Sequence, residues 1–225
     1  MSVSHNLSPP NEPKDAFGRP EDVDFVYDQV FRATLDRPGF VSIPLAPGTD
    51  SRGLRRAMLA LARQLSERHP EPLDLQWVLR FDQQITSRFH RDAALDESYL
   101  LLGYEPSPVV SEVAMADFSR AARDLGITPA EYVALYNSMF PANADRLGPY
   151  ITRLAPFDPR LAHLLVINNS VSRPGVFHQA TVPTPVSGAR RVINSVLLAP
   201  KSLADEKVSS ADREAFLSTD TVSGG

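Results

Sequence analysis

Phe89-His90-Arg91-Asp92 reads as extended chain. On such a chain alternate side chains project to the same face, with Cα atoms about 7 Å apart. His90 and Asp92 then form a two-point claw for a metal ion. A third candidate ligand, His178, lies far downstream in Gly175-Val176-Phe177-His178-Gln179-Ala180. For that imidazole to meet the claw, both stretches must converge inside one interior walled by strands. This requirement organises the reading of the rest of the chain.

Working outward, short apolar segments bounded by Pro, Gly and Ser predict strands over 75–87, 99–105, 163–169, 175–182 and 191–198. The first of these places Arg80, Asp82, Gln84 and Thr86 on one face, lining a site or facing solvent. Upstream, Val23, Val26, Tyr27, Val30 and Phe31 recur at helical spacing until Pro38-Gly39, and a strand follows over 40–45. Ser51 is expected to cap a second helix with Leu54, Met58, Leu61 and Leu65 on its buried stripe. Met115, Phe118, Ala122 and Leu125 predict a third helix ended by Gly126. Thr128-Pro129-Ala130-Glu131 is a capping box opening a fourth, with Tyr132, Leu135, Tyr136 and Met139 turned inward.

Residues 1–20 therefore read as a flexible arm and 21–200 as one domain, with a mainly helical insertion at about 111–160 that acts as a substrate lid or as packing support. Residues 201–225 read as a polar, frayed tail. Strands flanking helical blocks predict an α+β chain built on a double-stranded β-helix, a cupin-like jelly roll. A Rossmann fold would need a glycine-rich strand-to-helix turn, and none is present.

Composition narrows the chemistry. A net charge of −4 gives no broad basic surface, so nucleic acid is not an expected partner. The absence of cysteine excludes disulfides, thiolate metal sites and cysteine nucleophiles, leaving His, Asp and Glu to hold any metal. With neither a signal peptide nor a membrane span in the sequence, the expected location is the cytoplasm and the expected partner a small molecule. Oligomeric state is not readable.

Two imidazoles and one carboxylate make up the facial triad of a non-haem Fe(II) site with open positions. Downstream, Arg190-Arg191-Val192-Ile193-Asn194-Ser195 begins an apolar strand. In this order, His-x-Asp, a distal His and then Arg, residues from about 75 to 200 resemble the Fe(II)/2-oxoglutarate-dependent oxygenases. The resemblance implies that His90, Asp92 and His178 hold Fe(II). It also implies that Arg190 or Arg191 grips the far carboxylate of 2-oxoglutarate through the planar guanidinium fork. Arg191 is favoured because it shares a face with Ile193 and Ser195, whose hydroxyl would sit near that carboxylate. The family places its Ser or Thr two residues after the Arg, whereas Ser195 comes four after Arg191. The activity implied is oxidation of a small molecule by O2, most simply hydroxylation, with 2-oxoglutarate decarboxylated to succinate. Asp92 argues against the halogenating branch, where a small residue replaces the carboxylate.

Simpler roles stand beside these. His178 alone is as compatible with a hydrogen-bonded core position, and Asp92 with a turn cap. His163, at the head of a strand, reads as structural, and Asn168-Asn169 as a turn or as ligand contacts. Tyr104, Glu105, Trp77 and Arg80 are weaker candidates for a pocket wall, and Arg88 and Arg91 either pair with a substrate carboxylate or face solvent. Two other functions fit the same residues: a cupin-type metal enzyme without 2-oxoglutarate, and a non-catalytic β-barrel binding module.

Overall fold

Antiparallel pairing organises the chain into two sheets with helices against their outer faces. The structure is a computed structural model and describes residues 19–92, 95–136, 145–204 and 207–224. The strands are β1 (Phe40–Pro44), β2 (Leu73–Asp82), β3 (Tyr99–Tyr104), β4 (Glu112–Ala116), β5 (Ile151–Arg153), β6 (His163–Asn168), β7 (Phe177–Thr181), β8 (Val192–Pro200) and β9 (Ser223–Gly224). The larger sheet has the order β1-β6-β3-β8-β2-β9, with β9 alone running parallel to its neighbour. The smaller sheet has the order β5-β4-β7, and an isolated bridge between His90 and His178 extends it by one more extended segment.

Alternation of side chains sorts the interior into three layers. On the outer face of the large sheet, Leu101, Val166, Val196 and Leu198 pack against α1 (Pro20–Val30) and α2 (Ser51–Arg68) through Val26, Leu54, Met58, Leu61 and Leu65. Between the sheets lie Leu100, Leu102, Met115, Leu165, Ile167, Ile193 and Leu197. Behind the small sheet, Ala114, Ala116 and Phe177 meet α3 (Phe118–Asp124) and α4 (Pro129–Leu135) through Phe118, Ala122 and Tyr132. Full burial of each large apolar side chain contributes about 1.5–3 kcal/mol. Because β3, β6 and β8 are covered on both faces, they read as continuous apolar runs and not as alternating ones.

Two glycines permit this packing. A Cβ at Gly103 would collide with the Met58 sulfur, so α2 approaches β3 only because that position is bare. Gly39 turns the chain from α1 into β1 at φ 79°, and its amide donates to the Gln29 carbonyl. Nearby, the buried Arg32 forms a two-bond ion pair with Asp117, each bond 2.8 Å long, and so ties the end of α1 to the start of α3.

Several expectations are corrected. Asp50, not Ser51, caps α2, its carboxylate accepting from the Gly53 amide at 2.6 Å. Met115 belongs to β4 and points between the sheets, so the third helix begins only at Phe118. Leu125 and Leu135 are exposed and Met139 lies outside the described residues. The block at 111–160 thus contains two strands, and α3 and α4 support the back of the small sheet. The first predicted strand ends at Asp82. The tail is folded: α5 (Ser210–Ser218) opens with a Ser209–Asp212 capping box and buries Phe216 against the helical layer, and β9 then pairs with β2. Of the N-terminal arm, residues 1–18 lie outside the described residues.

Candidate metal centre

The backbone brings the three candidate ligands together. His90 and His178 exchange two hydrogen bonds, His90 N–H to His178 O at 3.0 Å and His178 N–H to His90 O at 2.9 Å. Residues paired this way across antiparallel strands present their side chains on the same face. That face is the inner one, because Phe177 and Phe89 both pack behind the small sheet and Met115, opposite His178, packs between the sheets. The imidazole ring centroids are 4.2 Å apart. Asp92, two residues after His90, places Oδ1 3.4 Å from His90 Nε2 and 3.7 Å from His178 Nε2. One donor atom from each of the three lies within 4.8 Å of the others.

Contacts behind the ligands fix their orientation. His90 Nδ1 is 2.6 Å from the Arg88 carbonyl, which calls for a proton on Nδ1 and turns Nε2 toward Asp92. Asn169 holds Asp92 by its backbone: its Oδ1 accepts from the Asp92 amide at 3.1 Å and its Nδ2 donates to the Asp92 carbonyl at 3.2 Å. The same Nδ2 donates to Ser98 Oγ at 3.0 Å, and Asn169 is fully buried. Arg91 donates to the Asn169 carbonyl at 3.0 Å and to the Leu95 carbonyl at 2.8 Å.

The electrostatics suit a cation site. Burial pushes His178 down to about 4, His90 adding to the effect and Asp92 opposing it, so the ring is neutral and able to ligate at neutral pH. For His90, burial also lowers the pKa, but the Asp92 hydrogen bond and the Arg88 carbonyl outweigh it and the net shift is upward. Asp92 is penalised by burial, yet its contacts with His90 and the charges around it hold it below the usual carboxylate range.

Arg191 is 1% exposed and shares the inner face with Ile193 and Ser195. Its Nε donates to Ser111 Oγ at 2.6 Å and its Nη1 to the Gln83 carbonyl at 2.8 Å. Its Nη2 is buried with no hydrogen bond of ordinary geometry, the Tyr104 hydroxyl being a weaker side-chain partner of the guanidinium, and among the described residues no carboxylate forms an ion pair with it. The guanidinium lies over the Tyr104 ring, 5.1 Å from the centroid. Burial raises the Tyr104 pKa, with Arg191 opposing and Asp92 reinforcing the shift, so the phenol is within electrostatic reach of both the carboxylate of the triad and the guanidinium.

The remaining sequence candidates divide by face. Arg190 is exposed. Ser195 Oγ accepts from the Trp77 indole at 3.1 Å, and it is Ser111 that supplies a hydroxyl to Arg191. Glu105 and Arg80 sit on the opposite face of the large sheet, paired at 3.0 Å beneath α2. Asn168 is structural, donating to the Val30 carbonyl and accepting from the Ser170 amide. Sequence reasoning missed Ser111 entirely and gave Asn169 only a turn or ligand role. A lone Ser leaves no sequence signal, whereas the clamp needed the register of two distant loops. No helix among the described residues is long and apolar enough to cross a membrane. Compared with protein-family models and with curated proteins, the chain matches none.

Proposed function

We propose that this protein is a non-haem Fe(II)/2-oxoglutarate-dependent dioxygenase that oxidises a small molecule. One observation carries the reading: a His-Asp-His triad and a buried arginine that no carboxylate side chain pairs with among the described residues share the space between two sheets. The strand order supports a double-stranded β-helix, because β2, β8, β3 and β6 are neighbours in one sheet. The His90 segment, β7, β4 and β5 are neighbours in the other. A cupin-type enzyme without 2-oxoglutarate would share the triad but leave the buried Arg191 charge without a carboxylate to pair with.

In this reading His90 Nε2, Asp92 Oδ1 and His178 Nε2 hold the iron, and Arg191 Nη2 with its neighbour Tyr104 receives the distal carboxylate of 2-oxoglutarate. Ser111 and the Gln83 carbonyl fix the guanidinium fork so that little rotamer freedom is lost on binding. The iron, with 2-oxoglutarate and O2, supplies an oxidant able to hydroxylate a C–H bond as 2-oxoglutarate becomes succinate and CO2. The apolar side chains between the sheets exclude water from that chemistry.

The test is an anaerobic titration with Fe(II) and then 2-oxoglutarate, followed by visible absorption. A weak charge-transfer band that forms in the wild type and is absent in His178→Ala is the expected result. Iron binding with no such band would favour the cupin reading, and no iron binding would leave a binding module.

A further inference from the structure

The open side of the sandwich, between the free edges of β1 and β5, contains a cavity of about 210 Å³. Phe25, Phe40 and Phe157 supply aromatic walls, and Pro38, Pro44 and Pro156 add rigid apolar surface. Among the described residues no Asp, Glu, Lys or Arg lines it. None of the triad residues does either, and Arg191 is likewise absent from the lining.

One buried imidazole borders this cavity. His163 is 8% exposed, its ring lies flat against Phe157 with centroids 4.3 Å apart and planes at 8°, and neither ring nitrogen makes a hydrogen bond of ordinary geometry. The Asp158 backbone is a weak acceptor for one nitrogen, which leaves the other with none. A buried polar atom with no hydrogen bond costs stability that a phenylalanine in the same stack would not. Burial lowers the His163 pKa, with the Asp158 backbone hydrogen bond and charge opposing it, so the imidazole is neutral and keeps an acceptor nitrogen for a ligand N–H.

We propose that this cavity is a binding site for an uncharged aromatic small molecule that hydrogen-bonds to the His163 imidazole. Size sets the class: a cavity of about 150 Å³ takes benzene, so one of this volume takes a fused bicycle of roughly nine or ten non-hydrogen atoms. The aromatic walls favour a ring by stacking and edge contacts. The absence of charged lining disfavours carboxylates and amines, which would enter without a counter-charge. The site shares no lining residue with the triad, while His163 and Phe157 also border the smaller pocket lined by Tyr104 and Arg191.

The experiment titrates the metal-free protein with indole and with indene, which match in shape but differ in the N–H donor. Calorimetry or ligand-observed NMR reads the affinities. Wild type is expected to bind indole roughly fivefold to tenfold tighter than indene, the worth of one net hydrogen bond. His163→Phe keeps the stack on Phe157 and should bind the two equally. Thr152→Trp, at an exposed position on the rim, should abolish binding of both. Should His163→Phe fail to fold, the ¹⁵N shifts of the His163 ring on adding indole to wild type decide the same point. Failure of either probe to bind, equal affinities in wild type, unmoved ring nitrogens, or unchanged binding in Thr152→Trp would each overturn the proposal.

Discussion

Asn169→Ala is the perturbation that most directly tests how the metal centre is built. The Asn169 amide makes two hydrogen bonds to the Asp92 backbone and one to Ser98 Oγ, all inside a fully buried environment. At about 1 kcal/mol net per bond, the variant should lose roughly 3 kcal/mol of stability. For a chain of this length that corresponds to a fall of about 6–12 °C in Tm. Two of the three bonds position Asp92. Their loss removes about 2 kcal/mol from the ordering of one ligand, or roughly a 30-fold drop in metal affinity, within the 10–100-fold range for groups behind a ligand. Asn169→Asp keeps the Oδ1 acceptor but replaces the donating amide with a second carboxylate, so it should also weaken the clamp. The assay is calorimetric titration with Fe(II) under argon, or with Co(II) as a redox-stable probe, at a temperature where circular dichroism shows both proteins folded. Unchanged metal affinity in a destabilised Asn169→Ala would refute the idea that this amide sets the position of Asp92.

Other outcomes follow from the same geometry. On the proposed dioxygenase reading, Arg191→Gln should raise the 2-oxoglutarate requirement by on the order of 100-fold, the loss of a charge-assisted hydrogen-bonding fork. Arg190→Gln should leave it unchanged, and a steady-state comparison of KM values separates them. Phe216→Ala should destabilise the fold by about 3–5 kcal/mol in urea unfolding, because α5 covers the helical core and is not a loose tail. Burial alone would raise the Glu105 pKa, but hydrogen bonds from Arg80, Ser51 and Asn194 outweigh it and the folded value lies below the ordinary carboxylate range. Its contribution is thus fully present above an unfolded pKa of ~4.3 and disappears as pH falls through the lower folded value. Glu105→Gln should accordingly flatten the acid limb of the stability–pH curve, and an unchanged limb would assign acid lability to other groups.

Periodicity and turn chemistry made much of the architecture legible from sequence. The stripe Leu54, Met58, Leu61 and Leu65 specified α2, and Tyr99–Tyr104, His163–Asn168 and Val192–Pro200 were readable as strands because each is a short, mostly apolar run without a charged residue. Local pattern failed where packing overrode it. Met115 keeps helical spacing with Phe118 and Ala122, yet its backbone pairs with His178, so sheet hydrogen bonding decided its state. The tail looked polar because only Val208 and Phe216 of its described residues are buried apolar anchors, while Arg55 and Arg80 hold it through backbone carbonyls that no composition reveals.

By itself, then, the sequence singled out the candidate ligand set and its likeness to a known pattern, since His-x-Asp needs only two residues of extended chain to share a face. Only the tertiary structure decided that His178 pairs with His90 and faces inward. It likewise decided that Arg191 and not Arg190 is buried, that Ser111 and Asn169 stand behind the site, and that the buried His163 ring stacks on Phe157 at the edge of a cavity. Each of these depends on register between strands far apart in the chain, where a slip of one residue would turn every side chain to the opposite face.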